Sequence, residues 1–186
     1  KELPNNEIIN YVDIDAIDNK KQIIREVKKE IVSNLSSRER RVLKKGWIMY
    51  SLVRPYLHNL AIVDKNQKNY IGSTGFAVFD CIQIENKYIF QLLLSQYIEN
   101  LYLSFMDGFN SPSITHEQFK NTLIPLPPAE EQKAIIGKVE TLMQKCNALE
   151  QEITQSEQHA NMLMQAVLKE AFDSEKEIKK QYAQAE

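Results

Sequence analysis

The side chains best suited to chemistry in this chain are its clustered cations. Residues 20–45 hold ten of them (Lys20, Lys21, Arg25, Lys28, Lys29, Arg38, Arg40, Arg41, Lys44 and Lys45) against three acids. That is a local charge of +7 in a 186-residue chain of net charge −2. A guanidinium fork grips phosphate or reads a guanine edge through two parallel hydrogen bonds. Arg38, Arg40, Arg41 and Lys44 precede a turn at Gly46, and Arg54 follows the apolar run ending at Val53. These five are therefore candidates for one polyanion-binding edge. Asn59, Ser73, Thr74, Asn110, Ser111 and Ser113 add short hydrogen-bonding groups on loops, with Tyr56 and His58 nearby. The competing reading of the basic window is a solvated face.

A catalytic reading finds little support. His58, His116 and His159 are scattered and sit in no metal or nucleophile motif. Asp13, Asp15 and Asp18 look like a carboxylate cluster, but on an alternating strand Asp13 and Asp15 share the solvent face. Gly72-Ser-Thr-Gly75 is too short for a phosphate-cradling loop and lacks the lysine that follows one. Cys81 and Cys146 form no CxxC pair and are expected to be reduced thiols in a cytoplasmic protein. No apolar run approaches the roughly 18 residues of a membrane span. The chain is not expected to be an enzyme by itself, nor to bind a metal.

The elements that must position these groups follow from periodicity. Ile8–Asp15 alternates as a half-buried strand, and Trp47–Val53, Asn59–Val63 and Tyr70–Phe79 read as further strands. Residues 20–35 fit either a short amphipathic helix or a long loop. Tyr88–Leu103 has helical spacing, and Asp107–Ser113 is a loop by composition. Thr115 with Gln118 forms a capping box that opens a short helix through Phe119. Mixed strands with embedded helices predict an α+β domain over residues 1–128.

The segment Ile124-Pro-Leu-Pro-Pro-Ala-Glu-Glu-Gln132 is a stiff strap, because proline restricts both its own φ and the residue before it. Pro128 fits the first turn of a helix, and Glu130 and Glu131 suit its positive end. Beyond it, Ile135, Val139, Leu142, Cys146, Leu149, Ile153, Ser156, Ala160, Leu163 and Val167 alternate spacings of four and three. That is a coiled-coil seam. It predicts one long helix over 129–172, with 173–186 a polar tail that extends or frays it. About 40 helical residues reach roughly 60 Å. Charge divides the same way: residues 1–128 are net +2 and residues 129–186 net −4.

The chain resembles the DNA specificity (S) subunit of type I restriction–modification enzymes. The resemblance is carried in order by Tyr11-Val-Asp-Ile-Asp15, Val42-Leu-Lys-Lys-Gly46, Tyr50-Ser-Leu-Val-Arg-Pro-Tyr-Leu57, Asn59-Leu-Ala-Ile-Val63, Ser73-Thr-Gly-Phe76 and Asp107-Gly-Phe-Asn-Ser-Pro-Ser-Ile114. Its most specific part is Ile124-Pro-Leu-Pro-Pro-Ala-Glu-Glu-Gln-Lys-Ala-Ile135 with the heptads after it. It implies a target-recognition domain followed by a spacer helix, together reading half of a bipartite site on double-stranded DNA. It also implies docking to methyltransferase subunits that carry S-adenosylmethionine, and to a motor-nuclease subunit that brings ATP and magnesium. No cofactor is then expected on this chain. The family's subunit has two recognition domains and two antiparallel spacers, whereas one of each is present here. Trp47 stands where the family places an aspartate. The chain opens on Lys1 with a strand pattern at Ile8, so the domain is expected to be N-terminally incomplete. An antiparallel homodimer, or pairing with a second recognition half, would complete the two-reader arrangement. Two other functions stay open: the recognition module of a fused methyltransferase-endonuclease, and a coiled-coil dimerisation protein that does not bind DNA.

Overall fold

A computed structural model describes residues 4, 6–34, 39–106 and 112–183, with side chains described for these except 34, 39, 40, 171 and 173–183. The fold is α+β, followed by one long helix. It divides into two units, residues 1–136 and 137–186.

The first unit is organised around strand β6 (Ile48–Ser51), all four of whose residues are buried. It is the centre of a three-stranded antiparallel sheet, between β7 (Leu60–Ile62) and β9 (Phe76–Phe79). Side chains alternate across a strand, and here both faces are covered. Ile48, Tyr50 and Leu52 join Leu60 and Ala77 under helices α1 (Asn86–Leu93) and α2 (Gln96–Phe105). Met49, on the other face, packs with Val12, Leu43, Val63, Tyr70 and Phe76. The helix-side cluster has an aromatic centre. Tyr50 lies 5.8 Å from Tyr102 and 5.6 Å from Phe119, which belongs to α3 (His116–Lys120).

A second, four-stranded sheet has the order β4 (Lys28–Ile31), β1 (Ile8–Val12), β8 (Tyr70–Ser73), β5 (Glu39–Val42). β1 and β8 run parallel, and the outer pairs are antiparallel. A small ribbon of β2 (Ile17–Asp18) and β3 (Ile23–Ile24) completes the sheets. Gly72 on β8 marks a close approach: a Cβ there would lie 3.3 Å from side-chain atoms of both Leu43 and Met49, which would have to give by a few tenths of an ångström.

Several expectations are corrected. Residues 20–35 form neither helix nor loop alone: they supply β3, β4 and a 3-10 turn at Val32–Asn34. The run Tyr70–Phe79 is two strands in different sheets, turned at Thr74–Gly75. The Tyr88–Leu103 helix is broken at Leu94 and Ser95. The Ser95 hydroxyl donates to Leu92 O at 2.6 Å and accepts from Ile98 N, so it ends one helix and caps the next. Asp13 and Asp15 are not two rungs of a strand. Asp13 caps a 3-10 turn, its Oδ1 accepting from Ile14 N, and Asp15 lies within that turn. The capping box at Thr115 and Gln118 forms with both bonds in place.

Helix α4 spans Ala129–Ala183. Pro128 sits one position before it, its carbonyl accepting the N–H of Gln132. Gln132 is only 4% exposed. Its Oε1 accepts from Glu85 N at 3.2 Å and its Nε2 donates to Pro127 O at 2.9 Å. Tyr88 reinforces the strap by donating its hydroxyl to Pro125 O at 2.9 Å. Ile136, one turn on, is buried in the helix-side cluster. Among the described residues no helix is long and apolar enough to cross a membrane.

Two measurements check this architecture. Gln132→Ala removes both hydrogen bonds of a buried side chain, so urea unfolding should show a drop in stability of about 1–3 kcal/mol. Burial, with Asp64 adding, pushes the Tyr70 phenol up to about 12, and burial likewise raises Tyr50 and Tyr102. An unfolded phenol titrates near 10. The stability that Tyr70 contributes is therefore complete below pH 10 and lost from there through about pH 12. An unfolding midpoint that stays flat across that window would contradict this burial.

Candidate nucleic-acid interface

Three loop segments meet through their backbones at one end of the sheets. Leu52 N donates to Gly75 O at 2.8 Å, Ile114 N to Leu52 O at 2.9 Å, and Arg54 N to Pro112 O at 2.8 Å. Val53 and Ser113 form an isolated antiparallel bridge. Positions far apart in sequence, Arg54, Thr74 and Ser113, thus sit on one hydrogen-bonded loop cluster. Strand β5 adjoins it through β8, with Glu39 opposite Ser73 and Arg41 opposite Gly72. A register shift between Glu39 and Arg41 marks a bulge, a feature that re-aims side chains at sheet edges.

Arg41 reaches across to the loop cluster. Its Nη2 lies 2.8 Å from His116 Nε2, and that nitrogen lies 3.2 Å from Thr74 O. Arg54 is exposed and left-handed (φ 50°, ψ 59°), as is His58 in backbone (φ 53°, ψ 38°). These two bracket a 3-10 turn, Pro55–Leu57. For residues with a Cβ this conformation costs about 1–3 kcal/mol each and recurs at functional sites. The turn borders an open cleft of about 430 Å³ lined by Asp13, Ile14, Asp15, Val53, Arg54, Leu57 and Asn59. Asn19 donates from its side chain to Leu57 O at 3.0 Å, tying the β2–β3 turn to the same wall. His58 Nε2 lies 3.2 Å from Glu99 Oε2. That nitrogen is buried and makes no hydrogen bond among the described residues.

The remaining expected residues are placed unequally. Lys44 is exposed, with Nζ 4.9 Å from the Trp47 ring centroid. Asn59 lines the cleft, and its carbonyl accepts from Ser51 N. Ser73 is buried and its hydroxyl accepts from Gly75 N at 3.4 Å. It shapes the turn, whereas the half-buried Thr74 is the one the turn presents. Arg38, Asn110 and Ser111 lie outside the described residues, as does the side chain of Arg40.

The basic window does not form one face, which sequence could not disclose. Lys28 and Lys29 lie on β4 and Arg41 on β5, at opposite edges of the four-stranded sheet. Lys28 is also engaged by Asp15 at 3.5 Å. Lys20 and Lys21 occupy a turn whose N–H groups bond to Asp18. Chiefly the Lys21 N–H holds that carboxyl below its ordinary range. Nothing in the local pattern marks His116, which stands 75 positions from Arg41. No group of three or more His, Cys, Asp or Glu among the described residues could hold a metal ion.

On α4, the expected seam residues Ile135, Leu142, Cys146, Leu149, Ile153, Ala160 and Leu163 are exposed, as is Val167, and Val139 is half-buried. Leu149 is 58% exposed and Leu163 67%. Among the described residues nothing covers this stripe.

The sequence profile described as type I restriction modification DNA specificity domain matches residues 1–156. The chain is 26% identical over 134 residues to the type I restriction enzyme EcoDI specificity subunit of Escherichia coli, covering 70% of this chain and 28% of that protein. It is 27% identical over 145 residues to the HindI specificity subunit of Haemophilus influenzae, covering 76% and 31%. The chain thus spans less than a third of these relatives. Among solved structures, the HsdS subunit from Thermoanaerobacter tengcongensis superposes with a TM-score of 0.75 at 35% identity, covering 87% of this chain and 42% of that one. A chain of a type I R-M system, solved for its complex assembly and conformational transition, gives 0.76 at 36%, covering 88% and 43%.

The strained turn yields its own test. Arg54→Gly removes the Cβ that the left-handed backbone disfavours and should be at least as stable as the parent. Arg54→Val, β-branched at the same φ, should be less stable by about 1–3 kcal/mol in thermal or urea unfolding. Equal stability of the two variants would mean the turn relaxes freely.

Proposed function

The chain belongs to the type I restriction modification DNA specificity family, and from that premise we propose that it reads one half of a bipartite DNA target. The observation that carries this reading is the hydrogen-bonded cluster that gathers Arg54, Thr74 and Ser113 beside Arg41. Two guanidinium groups and two short hydroxyls on rigid loops suit a duplex surface, the arginines for phosphates or guanine edges, the hydroxyls for backbone or base contacts. Asn59, on the cleft wall beside Arg54, extends the surface, whereas Lys44 lies past the other end of β5, where Leu43 N bonds to Tyr70 O. Arg38, Arg40, Asn110 and Ser111 are further candidates by sequence.

In this reading residues 1–128 are the recognition domain and α4 is the spacer. Its uncovered heptad stripe pairs with a second spacer, from another copy in antiparallel orientation or from a second recognition half. One duplex turn is about 34 Å, and a helix of roughly 60 Å sets two readers astride an uncontacted gap. A two-fold pair reads a palindromic split target. The paired spacers dock methyltransferase subunits and, through them, the restriction subunit, in the cytoplasm. S-adenosylmethionine, ATP and magnesium belong to those partners, and this chain contributes recognition rather than catalysis.

The cationic side chains are tested together by the triple variant Arg38→Ala, Arg40→Ala, Arg41→Ala. It should keep the parent's circular dichroism and melting temperature while binding DNA more weakly. The slope of log K against log salt should become shallower by about one unit for each phosphate that the variant no longer neutralises. Unchanged affinity would remove β5 from the interface. Light scattering tests the spacer: a mass twice 21.6 kDa is expected for a self-paired α4, falling to the monomer in Leu142→Lys, Leu149→Lys.

A further inference from the structure

We infer that His116 is a positioning residue for DNA recognition, acting through Arg41; the inference rests on the reading that this edge meets DNA. A guanidinium is permanently charged and can only donate. With Arg41 Nη2 at 2.8 Å, His116 Nε2 must offer its lone pair, since two N–H groups at that distance would repel. In that role Nε2 carries no hydrogen, and Thr74 O at 3.2 Å is a packing neighbour of Nε2 rather than its acceptor.

Three further observations give this pairing a purpose. Arg41 Nε is shut off from solvent with no hydrogen-bond partner. The arginine is thus not in its own best hydrogen-bonding pose, and among the described residues the imidazole is the partner of its Nη2. The bulge between Glu39 and Arg41 turns the arginine out of regular register toward the loop cluster. His116 is itself fixed, as the first residue of α3 behind a complete capping box, next to a segment bonded to Leu52. One ring thereby joins β5 to the loops that carry Thr74 and Ser113.

The gain is preorganisation. A free arginine loses rotamer entropy when it binds, and holding one guanidinium nitrogen beforehand removes part of that loss. On this reading the other N–H groups of the two terminal nitrogens are the ones offered to a phosphate or a base edge. His116 would touch no DNA itself; its effect should vanish wherever Arg41 is absent.

A double-mutant cycle on the full chain tests this, with fluorescence anisotropy on a mixed-sequence 30-base-pair duplex, about three helical turns. His116→Ala should weaken binding about 2–10-fold. His116→Gln, whose Oε1 can accept from Nη2 as the imidazole does, should restore most of it. In an Arg41→Ala background His116→Ala should add nothing. Melting temperatures of all variants separate this from unfolding. If Arg41→Ala weakens binding but His116→Ala does not, or if their effects multiply, the positioning role is overturned and the DNA-reading edge stands. If Arg41→Ala has no effect on a chain that binds, the positioning role is overturned and Arg41 leaves the interface. If the parent shows no salt-dependent binding, the functional reading falls with it.

Discussion

Strand β6 has no solvent face, and the rest of the first unit is arranged to satisfy that condition. Its four residues are at most 1% exposed, so a layer must cover each side. One layer is α1, α2 and the Phe119 turn of α3; the other comes from β1, β8 and the segments between them. Close packing makes each layer dependent on the shape of the other. Gly72 illustrates this: on β8 it leaves room for Leu43 and Met49, and Met49 is the β6 side chain pointing that way. The sheets are thereby locked face to face, and the loops at their ends inherit a fixed geometry.

That fixed geometry is what the loop cluster uses. Loops rarely hold side chains as firmly as strands do. Here Leu52, Arg54, Gly75, Pro112 and Ile114 exchange backbone hydrogen bonds as though the loops were a short extra sheet. Left-handed backbone at Arg54 and His58 and a buried, unmatched Arg41 Nε are local costs. The doubly covered core offsets them. Strain kept beside the exposed Arg54 and the half-buried Arg41 is the kind that recurs at functional sites.

Helix α4 carries two different stripes. Gln132 and Ile136 face inward at its start, where the glutamine bridges Glu85 and Pro127. Ile135 begins the heptad stripe, which remains open along the helix. Because the two stripes are separate, anchoring the start of the helix does not use up its apolar seam. The strap adds a hydrogen bond from the Tyr88 hydroxyl to Pro125 O and prolines whose φ angles are restricted.

What the sequence determined was whatever depends on a few neighbouring residues. The capping box at Thr115, a strand within the β-rich run Trp47–Val53 (formed at Ile48–Ser51) and the long helix from Ala129 all rest on interactions spanning a few positions, and each formed. Tertiary structure decided how distant pieces were sorted. It divided the Tyr70–Phe79 run between two sheets, broke one predicted helix at Ser95, and sent Lys28 and Arg41 to opposite sheet edges. It chose Gln132 as a buried bridge among many exposed glutamines, and it brought His116 to Arg41. The physical reason is that strand pairing and side-chain burial are settled by competition among all segments for one core. A local pattern fixes which element forms but carries no record of its eventual neighbour.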